Sequence, residues 1–378
     1  MKTRAAVLRE IGLPEPYAQS RPLLIEELDL AAPGPGEVLV RIRAAGLCHS
    51  DLSVVNGDRP RPVPMALGHE AAGVVEALGD GVDDLRLGDH VILVFMPSCG
   101  HCMPCASGRP ALCEPGAAAN GAGTLLTGRR RLSAGGVPVH HHLGCSAFAD
   151  HAVVSRRSCV PIDRDLPFEH AALFGCAVLT GVGAVVNTAR IEAGSTVAVI
   201  GLGGVGFAAL LAARAAGAAA IVAIDLVESK LDLARTLGAT LCLDARDADL
   251  VEKVKAATGG GVDYAFEMAG AIAALETAYR VTRRGGTTVT AGLPNPKSLW
   301  PLQAVSLIAE ERTLKGSYIG SCVPVRDVPR YVALFKQGLL PVEALLSERL
   351  PLADINGALD RLARGQSIRQ VIVMEGLA

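Results

Sequence analysis

Aromatic residues are scarce in this chain, as are other features that would direct it to particular partners. Only 3% of the 378 residues are Phe, Trp or Tyr, too few to suggest a platform for stacking bases. The formal net charge is −2, so no excess of positive charge attracts nucleic acid or an anionic membrane. The sequence shows neither a membrane-length apolar run nor the apolar segment of a secretory signal. We expect a cytoplasmic protein with no nucleic-acid partner and no membrane span.

Cysteine, by contrast, is frequent, with ten in the chain. Disulfides are rare in the reducing cytoplasm, so closely spaced cysteines there point to a metal. The stretch CGHCMPCASGRPALC has the spacing C-x2-C-x2-C-x7-C and comprises Cys99, Cys102, Cys105 and Cys113. Four thiolates fill the tetrahedral coordination of zinc and leave no position open, which is typical of a structural site. The sequence therefore predicts a structural zinc in a loop at 97–115.

The hydrophobic pattern changes near residue 176. Before it, short β-like runs such as GEVLVRIRAAG and GDHVILV are broken by Gly and Pro, as in a compact, mainly β domain. After it, apolar strands alternate with helical patterns, which favours a parallel, doubly wound sheet with helices on both faces. Its strands are expected near 196–200, 220–224, 240–243, 262–267, 286–291 and 313–318. The Gly-rich stretch 114–142 is expected to be a long surface loop.

A dinucleotide-binding signature lies in this second region. The motif GLGGVG follows an apolar strand and opens a helix, with Gly201, Gly203 and Gly206 in a G-x-G-x-x-G pattern. The glycines allow a tight turn, approach of the pyrophosphate and close helix packing. Asp225 ends the next strand, where a carboxylate binds the adenosine ribose and repels a 2′-phosphate. The pattern therefore favours NAD over NADP.

A second metal site is suggested by three separated residues, Cys48 in GLCHSD, His69 in LGHE and Cys176 in FGC. Two thiolates and one imidazole leave a fourth zinc position for water or substrate, the arrangement of a catalytic zinc. A single cysteine is more often a small buried hydrophobic residue, and sequence spacing does not show that the three converge.

Taken together, these motifs resemble the zinc-dependent medium-chain alcohol dehydrogenases over essentially the whole chain. The resemblance includes LGHEAAGVVEALGDGV, FGCAVLTGVGAVVNTA, GVDYAFEMAG and GQSIRQVIV, and is closest to the dimeric branch of animal-type and glutathione-dependent formaldehyde dehydrogenases. It implies an α/β fold in which a doubly wound Rossmann sheet is inserted into a discontinuous, mainly β, GroES-like catalytic domain. The expected parts are 1–177, the Rossmann domain 178–320, and 321–378 returning to the catalytic domain.

The resemblance also implies roles for residues around the two metals. It assigns Cys48, His69 and Cys176 to the catalytic zinc and the four-cysteine loop to the structural zinc. Asp51 would orient the zinc-bound imidazole, Glu70 would lie behind the metal, and Ser50 would accept the alcohol proton. Asp51 and Glu70 are alternatively buried acids paired with an arginine.

For the cofactor, the resemblance places a larger set of residues around NAD. The set is His49, Thr180, Gly201, Leu202, Gly203, Gly204, Val205, Gly206, Asp225, Lys230 and Arg369. His49 is alternatively an exposed polar residue that follows a metal ligand. Arg369 fits either reading, as a partner of the buried acids or a contact of the cofactor phosphates.

The implied reaction is NAD-dependent oxidation of a primary alcohol to its aldehyde, and the reverse, by hydride transfer from a zinc-bound alkoxide. The primary alcohols implied as substrates include aryl and medium-chain alcohols. The partners expected are these small molecules and a second copy of the chain in a homodimer. The expected substrate-pocket residues are Phe95, Arg59, Ala118, His142, Leu143 and Leu293. The triplet His140–His142 either lines the pocket mouth or lies on the surrounding loop.

Two positions depart from the family pattern. Ser53 stands where several members carry the outer histidine of the proton relay, so His49, a chain of water molecules or direct exchange must complete it. Ala117 stands where formaldehyde-oxidising members hold glutathione with an arginine. Oxidation of S-(hydroxymethyl)glutathione is therefore the alternative activity. A zinc-poor, non-catalytic or reductase-like relative is a further alternative, against which the three ligands argue.

Overall fold

The computed structural model describes residues 1–374 and divides the chain into two compact units. The first unit contains Met1–Cys176, Val323–Pro329 and the segment from Leu346 onward. The second unit contains Ala177–Cys322 and Arg330–Leu345. Within the described residues, no helix is long and apolar enough to cross a membrane.

The strands are numbered here in chain order. They are β1 Lys2–Leu8, β2 Leu23–Leu30, β3 Glu37–Leu47, β4 Met65–Ala66, β5 Ala71–Leu78, β6 His90–Leu93, β7 Leu132–Ala134, β8 Val137–His141, β9 His151–Ser155, β10 Cys159–Ile162, β11 Thr196–Ile200, β12 Ala220–Asp225, β13 Leu241–Asp244, β14 Val262–Glu267, β15 Thr282–Thr290, β16 Thr313–Gly316, β17 Leu346–Leu350 and β18 Arg369–Val373.

The α-helices are numbered in the same way. They are α1 Tyr17–Ser20, α2 His49–Val55, α3 Met103–Ala106, α4 Glu114–Ala122, α5 Phe168–Leu173, α6 Ala177–Gly183, α7 Gly204–Ala215, α8 Glu228–Thr236, α9 Leu250–Thr258, α10 Ile272–Val281, α11 Ala304–Ala309, α12 Pro324–Lys336 and α13 Ile355–Ala363. A π-helical turn, Ala184–Ala189, follows α6.

The first unit is mainly β and contains two sheets. Strands β1, β2, β7, β8 and β4 form a closed barrel, filled by buried side chains that include Val7, Leu28 and Val153. The other sheet has seven strands in the order β10-β6-β5-β3-β18-β17, with β9 also paired to β3. Strand β18 pairs with β3 in the antiparallel direction. A strand from the C-terminal segment therefore belongs to the same sheet as strands from the N-terminal segment. This is the discontinuous, mainly β unit that the sequence predicts.

The second unit is a parallel sheet of six strands in the order β13-β12-β11-β14-β15-β16. Every neighbouring pair in this sheet runs parallel, as expected for strands joined through helices. Apolar side chains of β11, β12 and β14 pack with those of α9 and α10 to form its core. The α/β fold class and the six predicted strands are confirmed.

Two segments differ from the sequence expectation. The stretch 114–142 is not one long loop, because α4, β7 and β8 lie within it. Helix α4 begins where the Gly116 N–H donates to Cys113 Sγ, and ends at Gly123 in the left-handed conformation. The segment 330–345 belongs to the second unit rather than to the C-terminal return. There the Asn187 amide donates to the Tyr331 hydroxyl, and residues of 342–345 contact α7.

Candidate active site

Three strand and helix ends of the first unit place the proposed catalytic ligands together. Cys48 follows β3 and caps α2, His69 lies between β4 and β5, and Cys176 follows α5. All three are buried, and their ligand atoms lie within 4.8 Å of one another. The structure therefore shows the convergence that the sequence spacing leaves open.

His69 presents its two ring nitrogens to different surroundings. Its Nδ1 lies 2.9 Å from Oδ1 of the fully buried Asp51. Its Nε2 is buried and has no hydrogen-bond partner among residues 1–374. An ionised carboxylate only accepts hydrogen bonds, so Nδ1 carries a proton and Nε2 is the ring nitrogen left for a metal. Two thiols and an imidazole nitrogen without a hydrogen-bond partner are a donor set that fits zinc.

The charges around the cluster favour a thiolate. The neighbouring Cys176 thiol, with Arg369 and His69, holds the pKa of Cys48 well below its usual value. The Arg369 guanidinium is buried, donates to the Leu47 carbonyl at 3.0 Å, and lies 3.2 Å from Glu70 Oε1. Burial raises the pKa of Glu70 to about 7, although Arg369 opposes this shift. The arginine thus lies against the ligand cluster and the acid beside it.

The four cysteines of the 97–115 loop also converge, with their sulfur atoms within 4.8 Å of one another. Backbone N–H groups of Cys99 and Gly116 donate to Cys113 Sγ, and that of Cys102 donates to Cys99 Sγ. Desolvation opposes ionisation of Cys99, but the N–H groups of His101 and Cys102 lower its pKa to about 6. Four sulfurs that accept N–H bonds fit a closed zinc site.

In the second unit, the three motif glycines meet different surroundings between β11 and α7. Gly201 has a φ of +90°, which a side chain would strain. A Cβ on Gly206 would lie 1.8 Å from the Gly201 carbonyl oxygen, so this glycine allows close packing of the helix. A Cβ on Gly203 would meet nothing within 4 Å, so space for a ligand lies beside this backbone. The turn fits a dinucleotide pyrophosphate.

Asp225, at the end of β12, is already held by the same turn. Its Oδ2 accepts a hydrogen bond from the Leu202 N–H at 2.6 Å, and its Oδ1 accepts one from the Val227 N–H at 3.0 Å. Lys230 lies half-buried in α8, and Thr180 is buried in α6. These residues lie in the second unit, whereas His49 is exposed in the first turn of α2.

The residues expected to take part in the proton relay lie on one helix. Ser50 is half-buried in the first turn of α2, two residues after Cys48. The Ser53 hydroxyl donates to the His49 carbonyl at 2.9 Å, within the same helix. Its proton is therefore engaged in a local backbone contact.

The residues expected to form the substrate pocket are not equally buried. Phe95 is buried with its ring edge-to-face against His69, at 5.5 Å between centroids. Leu143 is also buried, whereas Arg59 is half-buried and Ala118 is exposed. Leu293 is exposed and belongs to the second unit.

Two contacts were not expected from the sequence. The buried Asn120 amide of α4 donates to the Phe95 carbonyl at 3.0 Å, and so fixes the segment after β6 that carries the ring. His142 lies with Nδ1 3.3 Å from Asp51 Oδ1. The only sequence signal for the second contact is the run of three histidines, which does not say which of them points inward.

Comparisons with known proteins agree with this geometry. Residues 34–164 match the Alcohol dehydrogenase GroES-like domain, and residues 204–337 match the Zinc-binding dehydrogenase family. An S-(hydroxymethyl)glutathione dehydrogenase from Synechocystis sp. is 39% identical over 98% of this chain and all of its own length. A solved alcohol dehydrogenase zinc-binding domain protein from Burkholderia ambifaria is 37% identical, with a TM-score of 0.93 and full coverage of both chains. A benzyl alcohol dehydrogenase from Acinetobacter calcoaceticus is 32% identical, with a TM-score of 0.92 over 99% of this chain and 100% of its own.

The chain therefore belongs to the zinc-binding alcohol dehydrogenases, as the resemblance of its motifs predicts. It is an oxidoreductase whose cofactors are zinc and NAD, and its fold joins a GroES-like domain to a Rossmann domain.

Proposed function

We propose that the chain catalyses the NAD-linked oxidation of a primary alcohol to its aldehyde, and the reverse reaction. The observation that carries this proposal is the buried cluster of Cys48, His69 and Cys176, whose ligand atoms lie within 4.8 Å of one another and whose imidazole Nε2 has no hydrogen-bond partner among residues 1–374. These three residues would hold the catalytic zinc. When bound, zinc supplies Lewis acidity that favours loss of the alcohol proton.

The chain's own residues orient the site and move the proton. Asp51 fixes the His69 ring through Nδ1, which leaves Nε2 as the ring nitrogen that would hold the zinc. The Ser50 hydroxyl, half-buried in the first turn of α2 two residues after Cys48, would accept the substrate proton and pass it outward. Since the Ser53 hydroxyl is bonded to the His49 carbonyl, the proton leaves Ser50 through His49 or directly to water.

The cofactor is held by the second unit in this proposal. The open backbone at Gly203 and the N-terminus of α7 would receive the pyrophosphate. Asp225 would accept hydrogen bonds from the adenosine ribose, and its negative charge would repel a 2′-phosphate. Leu226 and Val227, which follow it, offer no cation to hold such a phosphate. The closed four-cysteine site would bind a structural zinc and take no part in the reaction.

Oxidation of S-(hydroxymethyl)glutathione is the second candidate. It is supported by the relative of that name, which matches 98% of this chain. The exposed face of α4 argues against it, because Ala117 and Ala118 carry no charge for the glutathione carboxylates. The benzyl alcohol dehydrogenase, although less identical, also aligns over the whole chain. We therefore rank sulfur-free primary and aryl alcohols first.

A substrate panel separates these candidates. Primary, aryl and secondary alcohols would be tested with NAD beside S-(hydroxymethyl)glutathione, and the values of kcat/KM compared. We expect the highest value with a primary or aryl alcohol. A higher value with the glutathione adduct would replace the first proposal by the second.

The Cys176→Ala variant tests the site itself. We expect it to lose NAD-linked alcohol oxidation and about one zinc per chain, because two protein ligands no longer complete the site. Circular dichroism should show an unchanged fold. Cys159→Ala, another buried thiol that lies outside both cysteine clusters, is the matched control and should keep both zinc ions and the activity. Retained turnover in Cys176→Ala would contradict the mechanism.

We also propose a homodimer formed through the edge of the parallel sheet. Among residues 1–374, strand β16 pairs only with β15, and Ile308 of the preceding helix α11 is 80% exposed. An uncovered edge beside an exposed apolar side chain is a liability in a monomer. Light scattering should give the mass of two chains, and Ile308→Asp should shift the mass toward one. A single-chain mass for the unaltered protein would refute the proposal.

A further inference from the structure

A second imidazole faces the carboxylate that orients His69. His142 is buried, and its Nδ1 lies 3.3 Å from Asp51 Oδ1, the same oxygen that His69 Nδ1 approaches at 2.9 Å. The two rings stand edge-to-face, with centroids 5.5 Å apart and planes at 88°. His142 Nδ1 makes no well-directed hydrogen bond among residues 1–374, so its contact with Asp51 Oδ1 is a close approach of a ring nitrogen to a carboxylate. One carboxylate oxygen therefore faces two imidazoles.

Asp51 is a fully buried charge, and such a charge is costly unless hydrogen-bond donors surround it. Its Oδ2 accepts the Cys48 N–H at 3.0 Å at the start of α2. Its Oδ1 faces His69 and His142. An ionised carboxylate has lone pairs for both rings, so both imidazoles can present an Nδ1–H to it.

The backbone around His142 is arranged to keep the ring in this place. The His142 N–H donates to Ser146 Oγ at 3.0 Å, and the His142 carbonyl accepts from the Cys145 and Ser146 N–H groups. Within this turn, Leu143 and Ser146 have φ values of 50° and 51°, in the left-handed region that side chains disfavour. Strain of this kind persists where the surroundings require one geometry, often at a functional site.

The two neighbours of His142 in the triplet are engaged elsewhere. His140 is half-buried and accepts a hydrogen bond from Arg130 Nε at 3.1 Å. His141 Nε2 accepts the Arg131 N–H at 3.0 Å. Only the third histidine of the run reaches the site.

We propose that His142 is a positioning residue for the catalytic metal, acting through Asp51 as a second N–H donor to the carboxylate that orients His69. The inference rests on the proposed metal site and deepens it. By helping to fix the buried carboxylate, His142 would fix the His69 ring in the orientation that leaves its Nε2 available to hold the zinc. His142 then acts behind the metal ligands, and a role in lining the substrate pocket is not needed to explain its position.

Zinc retention in the absence of substrate tests this role apart from turnover. The zinc-loaded enzyme would be mixed with excess of a chromogenic chelator, and the release from the two sites followed with time. The Cys176→Ala variant, which lacks a ligand of the catalytic site, identifies the phase that belongs to that site. We expect His142→Phe, which keeps a ring without an N–H, to release this zinc about tenfold faster. Release from the four-cysteine site should not change.

His142→Asn is the conservative variant, because its amide nitrogen lies near the position of Nδ1. We expect it to restore most of the retention, and the visible spectrum of the cobalt-substituted Asn variant to match that of the unaltered protein. His140→Phe changes a half-buried neighbour in the same triplet, which contacts Arg130 rather than Asp51, and should release zinc at the unaltered rate. If His142→Phe does not fold, His142→Gln replaces it in the test. The amide nitrogen of Gln lies beyond the position of Nδ1, so we expect this variant to release the catalytic-site zinc faster than the Asn variant does.

The outcomes distinguish this inference from the function on which it rests. Two zinc ions per chain with unchanged release from His142→Phe would overturn the role of His142 and leave the metal site intact. Equal release from the Asn and Phe variants would also overturn it, since an N–H donor would then make no difference. A single zinc in the unaltered protein would overturn the proposed catalytic site itself.

Discussion

Gly46 shows how closely one backbone position determines a charged side chain at the site. A Cβ on this residue would lie 2.1 Å from Glu70 Oε1, so only glycine leaves room for the carboxyl group. The Gly46 N–H also donates to the Glu70 carbonyl at 3.0 Å. The glycine that opens GLCHSD thus belongs to the site as much as the cysteine does.

The buried carboxylate of Glu37 should make stability depend on acid pH. Burial opposes its ionisation, but hydrogen bonds from Thr127, the Gly34 N–H and Arg131 hold its pKa below the ordinary value of about 4.5. A lowered pKa in the folded state stabilises the protein above about pH 4.5. This contribution is lost as the pH falls through the lower, folded-state pKa.

The variant Glu37→Gln should therefore unfold more readily at neutral pH and lose less further stability on acidification. Denaturant unfolding followed at several pH values measures both effects. Glu27→Gln, at an exposed carboxylate, is the matched control and should follow the unaltered protein. Parallel pH profiles for Glu37→Gln and the unaltered chain would refute the assignment.

For individual residues, the sequence motifs predict which residue types come together but not which of them contact the same partner. Cys48, His69 and Cys176 were candidates because of their chemistry, and Asp51 because of its resemblance to a family position. The contact of His142 with Asp51 depends on a turn with two left-handed side-chain residues, and local preference argues against such a turn. Only the surrounding packing selects it.

At the scale of elements, the turn between β11 and α7 contains one glycine that we expect to affect NAD binding and another that we expect to affect stability. Gly203 has an extended ψ and ordinary negative φ, and a Cβ there meets open space. Gly203→Ala should keep its thermal stability and raise the KM for NAD by about tenfold, equivalent to ~1.4 kcal/mol of lost binding. Steady-state kinetics with varied NAD and a thermal melt measure the two effects.

Gly206→Ala is the matched contrast, because its Cβ would press on the Gly201 carbonyl oxygen. Overpacking of this kind should lower the free energy of unfolding by about 1–3 kcal/mol. If Gly203→Ala lost stability and Gly206→Ala lost none, the assignment of a binding role to Gly203 and a packing role to Gly206 would be wrong.

Elements with strong periodicity were predictable, and those without it were not. The strands of the parallel sheet are continuous apolar runs between helical patterns, so their positions follow from the sequence. Helix α4 has the sequence EPGAAANGA, with two glycines and no apolar stripe. Its stability depends on the Cys113 cap and on the Asn120 contact with the Phe95 carbonyl, both tertiary features.

For the whole molecule, one carboxylate joins segments that are far apart in the chain. Asp360 of α13 accepts the Tyr17 N–H at 2.7 Å and the Ala18 N–H at 2.9 Å, at the start of α1. Asp360→Ala should lower the free energy of unfolding by about 1–3 kcal/mol, because two backbone donors lose a charged partner. Denaturant unfolding measures this change.

Asp354→Ala, an exposed carboxylate at the start of the same helix, is the matched control and should have a much smaller effect. Equal losses in the two variants would mean that the Asp360 contacts with α1 contribute little.

The pairing of β18 with β3 sets an order of events during synthesis. All six strands of the parallel sheet lie between residues 196 and 316. They are therefore all synthesised before residue 320. The sheet beside Cys48 waits for residues 346–373, and Arg369 lies in the last of its strands along the chain. Because domains fold as units while the chain is made, the nucleotide-binding half is free to fold first. A nascent chain that stops short of β18 leaves β3 with an open edge and the cysteine cluster without its buried arginine.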